Sequence, residues 1–163
     1  GDVYKRQNSN TKIYLVENND DIKKLEISSS EVAYVTQTTL SVDETRELIN
    51  SLKEKFPGII GPSADDICYA TQNRQDAVKQ LSLECQIVLV IGSQTSSNSN
   101  RLKELAEKCG TKSFLIDDKT DIDLNSLKDA TSVGITAGAS APEEIVQEVI
   151  SFLVPLGLSL IHI

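Results

Sequence analysis

The sequence is poor in the residue types on which much enzyme chemistry depends. It has no methionine, no tryptophan, three cysteines and a single histidine, His162. A histidine-rich metal site and a Ser-His or Cys-His nucleophile are therefore excluded from the rest of the chain. Cys68, Cys85 and Cys109 form no CxxC pair. They predict neither a zinc ribbon nor a disulfide framework, and are typical of a reducing cytosol.

Positive charge is also scarce and is not clustered. The chain has 16 Lys and Arg residues against 24 Asp and Glu residues, a formal net charge of −8. Nucleic-acid binding needs a basic stripe, so we expect no nucleic-acid partner. No apolar run reaches the roughly 20 residues of a membrane span, so we expect no membrane anchor and a cytoplasmic location. An anion site built from backbone N–H groups and hydroxyls remains open.

The two ends of the chain, GDVYKRQ (1–7) and LSLIHI (158–163), differ from the sequence between them. Residues 2–7 can be encoded by GAT GTG TAT AAG AGA CAG, whose reverse complement encodes residues 158–163. The string resembles a transposon-end adapter used to prepare sequencing libraries. We therefore interpret 1–7 and 158–163 as adapter-encoded, and expect 8–157 to be a piece of a longer gene. His162 lies in the adapter-like segment.

Between the ends, short apolar runs alternate with amphipathic segments, which predicts an α/β fold with parallel sheets flanked by helices. Apolar runs predict strands at 12–17, 32–37, 86–92, 112–117 and 132–138. Helical spacing predicts helices at 19–27, 41–56, from about 71 to 85, 97–110 and 141–153, with a short helix within 121–129. A boundary near 62–64 separates the end of one α/β domain from a more complete one.

The ends of the predicted helices carry recognisable capping signals. Ser41 with Glu44, and Ser140 with Glu143, have the spacing of a capping box. Gly110 stands where a left-handed residue would end a helix.

Three strand-to-helix corners share small hydroxyl and amide residues: VTQTTLSVDE, VIGSQTSSNSNR and ITAGASAPEE. Such corners lie at the carboxyl ends of parallel strands, where ligands bind, and each helix start adds unpaired N–H groups. Together they suit a phosphate or diphosphate. Ordinary helix capping explains any one corner, but the run at 96–100 has five such residues where a cap needs one. Neither GxGxxG nor GxxxxGK[ST] occurs, which disfavours a nucleotide site.

The residues alone leave the reaction open. Cys68 follows Asp65 and Asp66, whose charge would raise a thiol pKa, so by itself it indicates a buried, inert cysteine. Cys85 and Cys109 are interpreted as structural. A non-catalytic anion-binding module and a flavodoxin-like or receiver-like domain stay as alternatives, although no strand ends in the lysine that a receiver needs.

Four stretches, in order and in spacing, carry a resemblance to a known family. They are TQTTLSVDET (36–45), DDICYATQNRQDAV (65–78), GSQTSSNSNRL (92–102) and GITAGASAP (134–142). They closely resemble the LytB/IspH family of 4-hydroxy-3-methylbut-2-enyl diphosphate reductases. The resemblance implies a three-lobed (trefoil) α/β protein around a 4Fe-4S iron–sulfur cluster. In it, 8–63 would be the C-terminal part of the second lobe and 64–157 the third lobe.

The resemblance also implies an activity and a set of functional residues. The family reductively removes the substrate hydroxyl to give isopentenyl and dimethylallyl diphosphate, with electrons from a donor such as flavodoxin or ferredoxin. Cys68 would be one of three thiolates that hold the cluster, and Thr38 would lie near the substrate hydroxyl, with Thr39 beside it. The residues that match the diphosphate-binding set are Ser96, Ser97, Asn98 and Ser140. The other cluster cysteines and the HPE glutamate have no counterpart here, so we expect this chain to be inactive alone.

Overall fold

A four-stranded parallel sheet organises the protein, whose computed structural model describes residues 12–29, 31–37, 40–62 and 69–163. The strands are β1 (Ile87–Ile91), β2 (Lys112–Ile116), β3 (Ser132–Ala137) and β4 (Ser159–His162), in the order β2-β1-β3-β4. β1 pairs on both sides and all five of its residues are buried, which explains its unbroken apolar sequence IVLVI. The predicted parallel α/β class is confirmed.

Six α-helices are described in these ranges. They are α1 (Asn19–Lys24), α2 (Val42–Lys55), α3 (Tyr69–Glu84), α4 (Ser97–Lys108), α5 (Leu124–Leu127) and α6 (Glu143–Leu153), with 3₁₀ turns at Lys119–Asp121 and Val154–Leu156. Each matches a predicted helical segment. Gly110 has a φ of +85° just beyond the C-cap of α4, so the predicted glycine stop is confirmed.

Helices cover both faces of the sheet because side chains alternate along β1. Leu89 and Ile91 face one core cluster together with Val149 of α6. Val88 and Val90 face the other, which is formed with side chains of α3 and α4, among them Leu81 and Leu102. The first turn of α4 is thereby fixed against the sheet.

Removing one of these core side chains should cost much more than removing an exposed one. Leu102 is 0% exposed, and Leu102→Ala is expected to lower the free energy of unfolding by about 3 kcal/mol, through lost burial and the cavity left behind. Leu83, which is 85% exposed, serves as the matched control, and Leu83→Ala should change it by less than about 0.5 kcal/mol. Urea unfolding of both variants would check this, and equal effects would contradict the packing described.

Two predicted strands near the start of the chain are not formed as expected. The strand prediction for 12–17 is wrong: this segment joins no ladder in the described part of the chain, and Ile13 and Leu15 are 65% and 81% exposed. The 32–37 segment forms a single parallel bridge, Ala33 to Ile60, in which the Tyr34 N–H donates to the Ile60 carbonyl at 2.9 Å. An apolar run predicts an extended segment but does not supply a partner strand.

The C-terminal segment that we interpret as adapter-encoded takes part in the sheet. Ser159–His162 pairs in parallel with β3, from Ser132 opposite Ser159 to Ile135 opposite His162. Without β4, that edge of β3 would present unpaired N–H and C=O groups, to which an extended segment can add. The adapter origin is a property of the DNA that encodes this segment, not of its structure, and it stays a prediction.

Two further expectations concern the chain as a whole. None of the described helices is both long enough and apolar enough to cross a membrane. The domain boundary near 62–64 stays a prediction, since residues 63–68 lie outside the described ranges.

Candidate functional site

The carboxyl ends of β1 and β3 meet at one edge of the sheet. Gly92 follows β1 and Gly138 follows β3, and the Gly138 N–H donates to the carbonyl of Ile91 at 2.8 Å. A Cβ added to either glycine would lie 2.2 Å from Oγ of Ser99, in the first turn of α4. Glycine at both positions therefore lets α4 begin directly against the ends of two neighbouring strands.

The first turn of α4 carries three of the predicted diphosphate-binding residues. Ser96 is the N-cap, and its Oγ accepts a hydrogen bond from the Ser99 N–H at 3.3 Å. Ser97 is exposed, whereas Nδ2 of Asn98 is buried and has no hydrogen-bond partner in the described protein. A buried donor without a partner is costly, so the Asn98 amide is a group that a bound anion would satisfy.

The loop before α4 is held by Asn100. Its Nδ2 donates to the carbonyl of Gln94 at 2.7 Å and to that of Ser96 at 2.9 Å. The residues of this polar run therefore have different roles. Ser96 caps the helix and Asn100 fixes the loop, whereas the side chains of Ser97 and Asn98 keep hydrogen-bond donors that no described residue binds.

The corner after β3 leaves Ser140 free. The predicted capping box of Ser140 with Glu143 is wrong, since Pro142 is the N-cap of α6 and makes no side-chain cap. Glu143 instead accepts a hydrogen bond from Nε2 of Gln147 at 2.8 Å. Ser140 is exposed and its hydroxyl has no partner among the described residues. It remains available to a ligand at the edge formed by β1 and β3.

The corner before α2 is capped from a distance. The predicted capping box of Ser41 with Glu44 is wrong, because Ser41 makes no side-chain cap. Oε1 of Gln75 on α3 accepts a hydrogen bond from the Val42 N–H at 3.0 Å, and Nε2 of Gln75 donates to the Leu40 carbonyl at 2.9 Å. Tertiary contact therefore replaces the local cap that the sequence pattern indicates.

Ion pairs join the start of α2 to α3 and α4. Glu44 pairs with Lys108, and its other oxygen lies 3.8 Å from Nη1 of Arg101. Lys79 donates to Asp43 at 2.6 Å, and this hydrogen bond raises the pKa of Lys79 above its usual value, so the lysine stays charged. Each of these partly exposed ion pairs contributes little stability, but together they link the first turn of α2 to α3 and α4.

One basic residue lies at the site although the sequence reasoning required none. Arg74 of α3 is half-buried, and its Nη1 donates to the carbonyl of Ala137, the last residue of β3, at 2.6 Å. A positive charge thus stands where the chain turns towards Ser140. The sequence reasoning missed both Arg74 and Gln75, although they lie within one of the quoted stretches.

Three predicted site residues lie outside the described residues. Thr38 and Thr39 precede the N-cap of α2 in sequence, and Cys68 directly precedes α3. Their functional roles stay predictions. In the part of the chain that the structure describes, no group of three or more His, Cys, Asp or Glu side chains could hold a metal ion.

The two described cysteines differ in reactivity. Cys85 is buried, and this burial, with a contribution from Glu84, raises the pKa of its thiol, whereas Cys109 is exposed. Because the thiolate is the nucleophile, we expect iodoacetamide at pH 8 to label Cys109 at least about tenfold faster than Cys85. Peptide mass spectrometry would measure both rates. They should converge in denaturant, and equal rates in the folded chain would contradict the burial of Cys85.

Comparison with known proteins identifies the family to which the sequence is similar. The chain matches the LytB protein family over residues 4–154. It is 59% identical over 148 residues to the 4-hydroxy-3-methylbut-2-enyl diphosphate reductase of Saccharophagus degradans, covering 90% of this chain and 48% of that protein. The reductase of that name from Escherichia coli is 54% identical over 146 residues, covering 89% and 46%.

A solved structure shares the fold. The E-1-hydroxy-2-methyl-but-2-enyl-4-diphosphate reductase of Plasmodium falciparum superposes with a TM-score of 0.84 at 34% identity, covering 91% of this chain and 48% of that one. The chain thus spans about half the length of the curated relatives it matches. With a family match over nearly all of its residues, this chain belongs to the LytB family.

Proposed function

We propose that this chain is the diphosphate-binding half of a 4-hydroxy-3-methylbut-2-enyl diphosphate reductase. The complete enzyme would replace the substrate hydroxyl by hydrogen, using two electrons and two protons and releasing water, to give isopentenyl or dimethylallyl diphosphate. The observation that carries the proposal is the buried Nδ2 of Asn98 at the start of α4, which has no hydrogen-bond partner among the described residues. The exposed hydroxyls of Ser97 and Ser140 lie in the same two corners, at the ends of β1 and β3. Family membership supplies the substrate class.

Diphosphate binding would rest on hydrogen-bond donors rather than on a lysine cluster. The N-terminus of the 12-residue helix α4 offers backbone N–H groups and a partial positive charge. Ser96, Ser97 and Asn98 surround that terminus, and Ser140 approaches from the neighbouring corner. Arg74, fixed on the Ala137 carbonyl, adds a nearby positive charge. Hydrogen bonds from such groups to a charged oxygen are stronger than those between neutral groups.

Cys68 would supply one thiolate to a 4Fe-4S cluster. It directly precedes α3, a 16-residue helix with no acidic residue in its first turn, and a helix N-terminus stabilises a thiolate. When bound, the cluster would deliver electrons singly and offer an iron to polarise the hydroxyl. The described residues hold no multi-ligand metal group of their own, which fits a contribution of one ligand. Flavodoxin or ferredoxin is the proposed electron donor.

Thr38 would act on the hydroxyl end of the substrate. Its side chain both donates and accepts hydrogen bonds, as a group that passes a proton to a leaving hydroxyl must. Thr38 and Thr39 come shortly before Ser41 in the sequence, whereas Ser96 to Asn98 would lie at the diphosphate end. The two ends of the substrate would thus be held by different corners.

A hybrid reductase tests this function. Residues 8–157 would replace the aligned segment of the E. coli relative, and the hybrid would be expressed in a strain depleted of its own reductase. We expect growth, and turnover of 4-hydroxy-3-methylbut-2-enyl diphosphate by the purified hybrid. A hybrid that folds and holds its cluster but neither supports growth nor turns over this diphosphate would refute the proposed function.

A further inference from the structure

We propose that Arg74 and Gln75 are positioning residues that hold two substrate-binding corners, the one before α2 and the one after β3, at a fixed separation. The inference rests on the proposed function for its catalytic consequence. We call the hydrogen bonds of Gln75 to Leu40 and Val42, and of Arg74 to Ala137, the clamp. The clamp rests on contacts in this chain, and it can be tested separately.

Gln75 uses both ends of its amide on the α2 corner. Its side chain is only 2% exposed, accepts from the Val42 N–H and donates to the Leu40 carbonyl, so both groups flanking the N-cap residue Ser41 are bound. The threonines of TQTT immediately precede this stretch. Gln75 therefore fixes the backbone at Leu40 and Val42, directly after these threonines in the sequence.

Arg74 acts on the other corner. It binds the Ala137 carbonyl at 2.6 Å, and the next N–H, that of Gly138, donates to Ile91 at 2.8 Å. The Gly138 carbonyl in turn accepts from the Ala141 N–H at 3.1 Å. The turn that carries Ser140 therefore begins at two backbone groups with fixed partners. The Ala137 carbonyl is bound by α3, and the Gly138 N–H is bound by β1.

Adjacent residues on a helix point about 100° apart, so one turn of α3 can reach two separate elements. Gln75 reaches 35 residues back along the chain and Arg74 reaches 63 residues forward. Gln75 is not the sole link between α2 and its neighbours in the described part of the chain, since Lys79 of α3 binds Asp43 and Lys108 of α4 binds Glu44. What Gln75 adds is a defined backbone position at the corner itself.

Amide hydrogen exchange on the full 163-residue chain tests the clamp directly. Gln75→Leu is expected to speed exchange at Val42, and Arg74→Leu at Ala141, each at least about tenfold through local opening. Gln80 lies on the exposed side of α3, and among the described residues its side chain bonds to that of Glu84 alone, so Gln80→Leu provides the control. Unchanged exchange at Val42 and Ala141 would overturn the clamp, whatever the chain's function.

Steady-state kinetics in the hybrid reductase tests the consequence. With cluster absorbance and Tm checked, Gln75→Leu is expected to lower kcat at least about tenfold with KM changed less than about threefold, because it displaces the hydroxyl-end corner. Arg74→Leu should raise KM about tenfold, and Arg74→Lys should recover most of that loss. Losses that merely follow Tm, or that Gln80→Leu shares, would overturn the positioning role. If the parent hybrid is inactive, that result counts against the proposed function. Amide hydrogen exchange at Val42 and Ala141 would then still test whether the clamp exists.

Discussion

Cys68→Ser in the hybrid reductase is expected to abolish the 4Fe-4S absorbance and to reduce turnover at least about 10³-fold. A serine oxygen is a poor substitute for a thiolate on iron, and a cubane cluster depends on several thiolates acting together. Anaerobic reconstitution with iron and sulfide, followed by absorption and electron paramagnetic resonance spectra, would measure the cluster. Turnover would be measured on the same samples.

The chain supplies its own matched control for that substitution. Cys109 is exposed at the end of α4, so Cys109→Ser should leave both the cluster and turnover unchanged. The 163-residue chain alone, offering one such ligand, should hold no stable cubane after the same reconstitution. A stable cluster on the Cys68→Ser hybrid would show that Cys68 is not a required ligand, and a stable cluster on the chain alone would contradict the need for ligands from outside this chain.

The sequence predicted the fold around β1, β2 and β3 well because its signals there are local. β1 is an apolar run bounded by polar residues, α4 has one apolar face, and Gly110 marks a left-handed stop. The failures arose where structure depends on partners distant in sequence. Residues 12–17 look like a strand, yet strand formation requires a second backbone, and no local pattern names one.

At the candidate site, too, local features were predicted correctly and contacts with distant partners were not. The excess of hydroxyl and amide residues at 96–100 correctly singled out a corner that keeps unpartnered donors. Both predicted capping boxes failed, because a pattern of Ser followed three residues later by Glu does not say whether a tertiary partner competes. Gln75 does so at α2. Its signal was available: residues 75, 78 and 82 share one face of α3, and a glutamine among buried residues on such a face indicates a specific polar partner.

Asn98→Ala is expected to change binding and stability in opposite directions. Loss of a hydrogen bond to a charged phosphate oxygen costs about 1.5–3 kcal/mol, so KM for the diphosphate substrate in the hybrid, and Kd for inorganic diphosphate on the chain, should rise about 10- to 100-fold. Titration calorimetry would measure the Kd. Asn125→Ala is the control, since Asn125 is exposed on α5 and its side chain makes no hydrogen bond among the described residues.

The stability of the unliganded chain separates a binding role from a structural one. Nδ2 of Asn98 is buried without a partner among the described residues, so its removal relieves a desolvation cost, and alanine favours the helix more than asparagine does. Asn98→Ala should therefore leave the free energy of unfolding unchanged or raise it by about 1 kcal/mol, while it weakens diphosphate binding. A structural asparagine would give the reverse: a less stable chain whose remaining folded fraction binds diphosphate normally. Urea unfolding beside the titration distinguishes the two, because a residue kept at a cost to folding must be satisfied by the ligand.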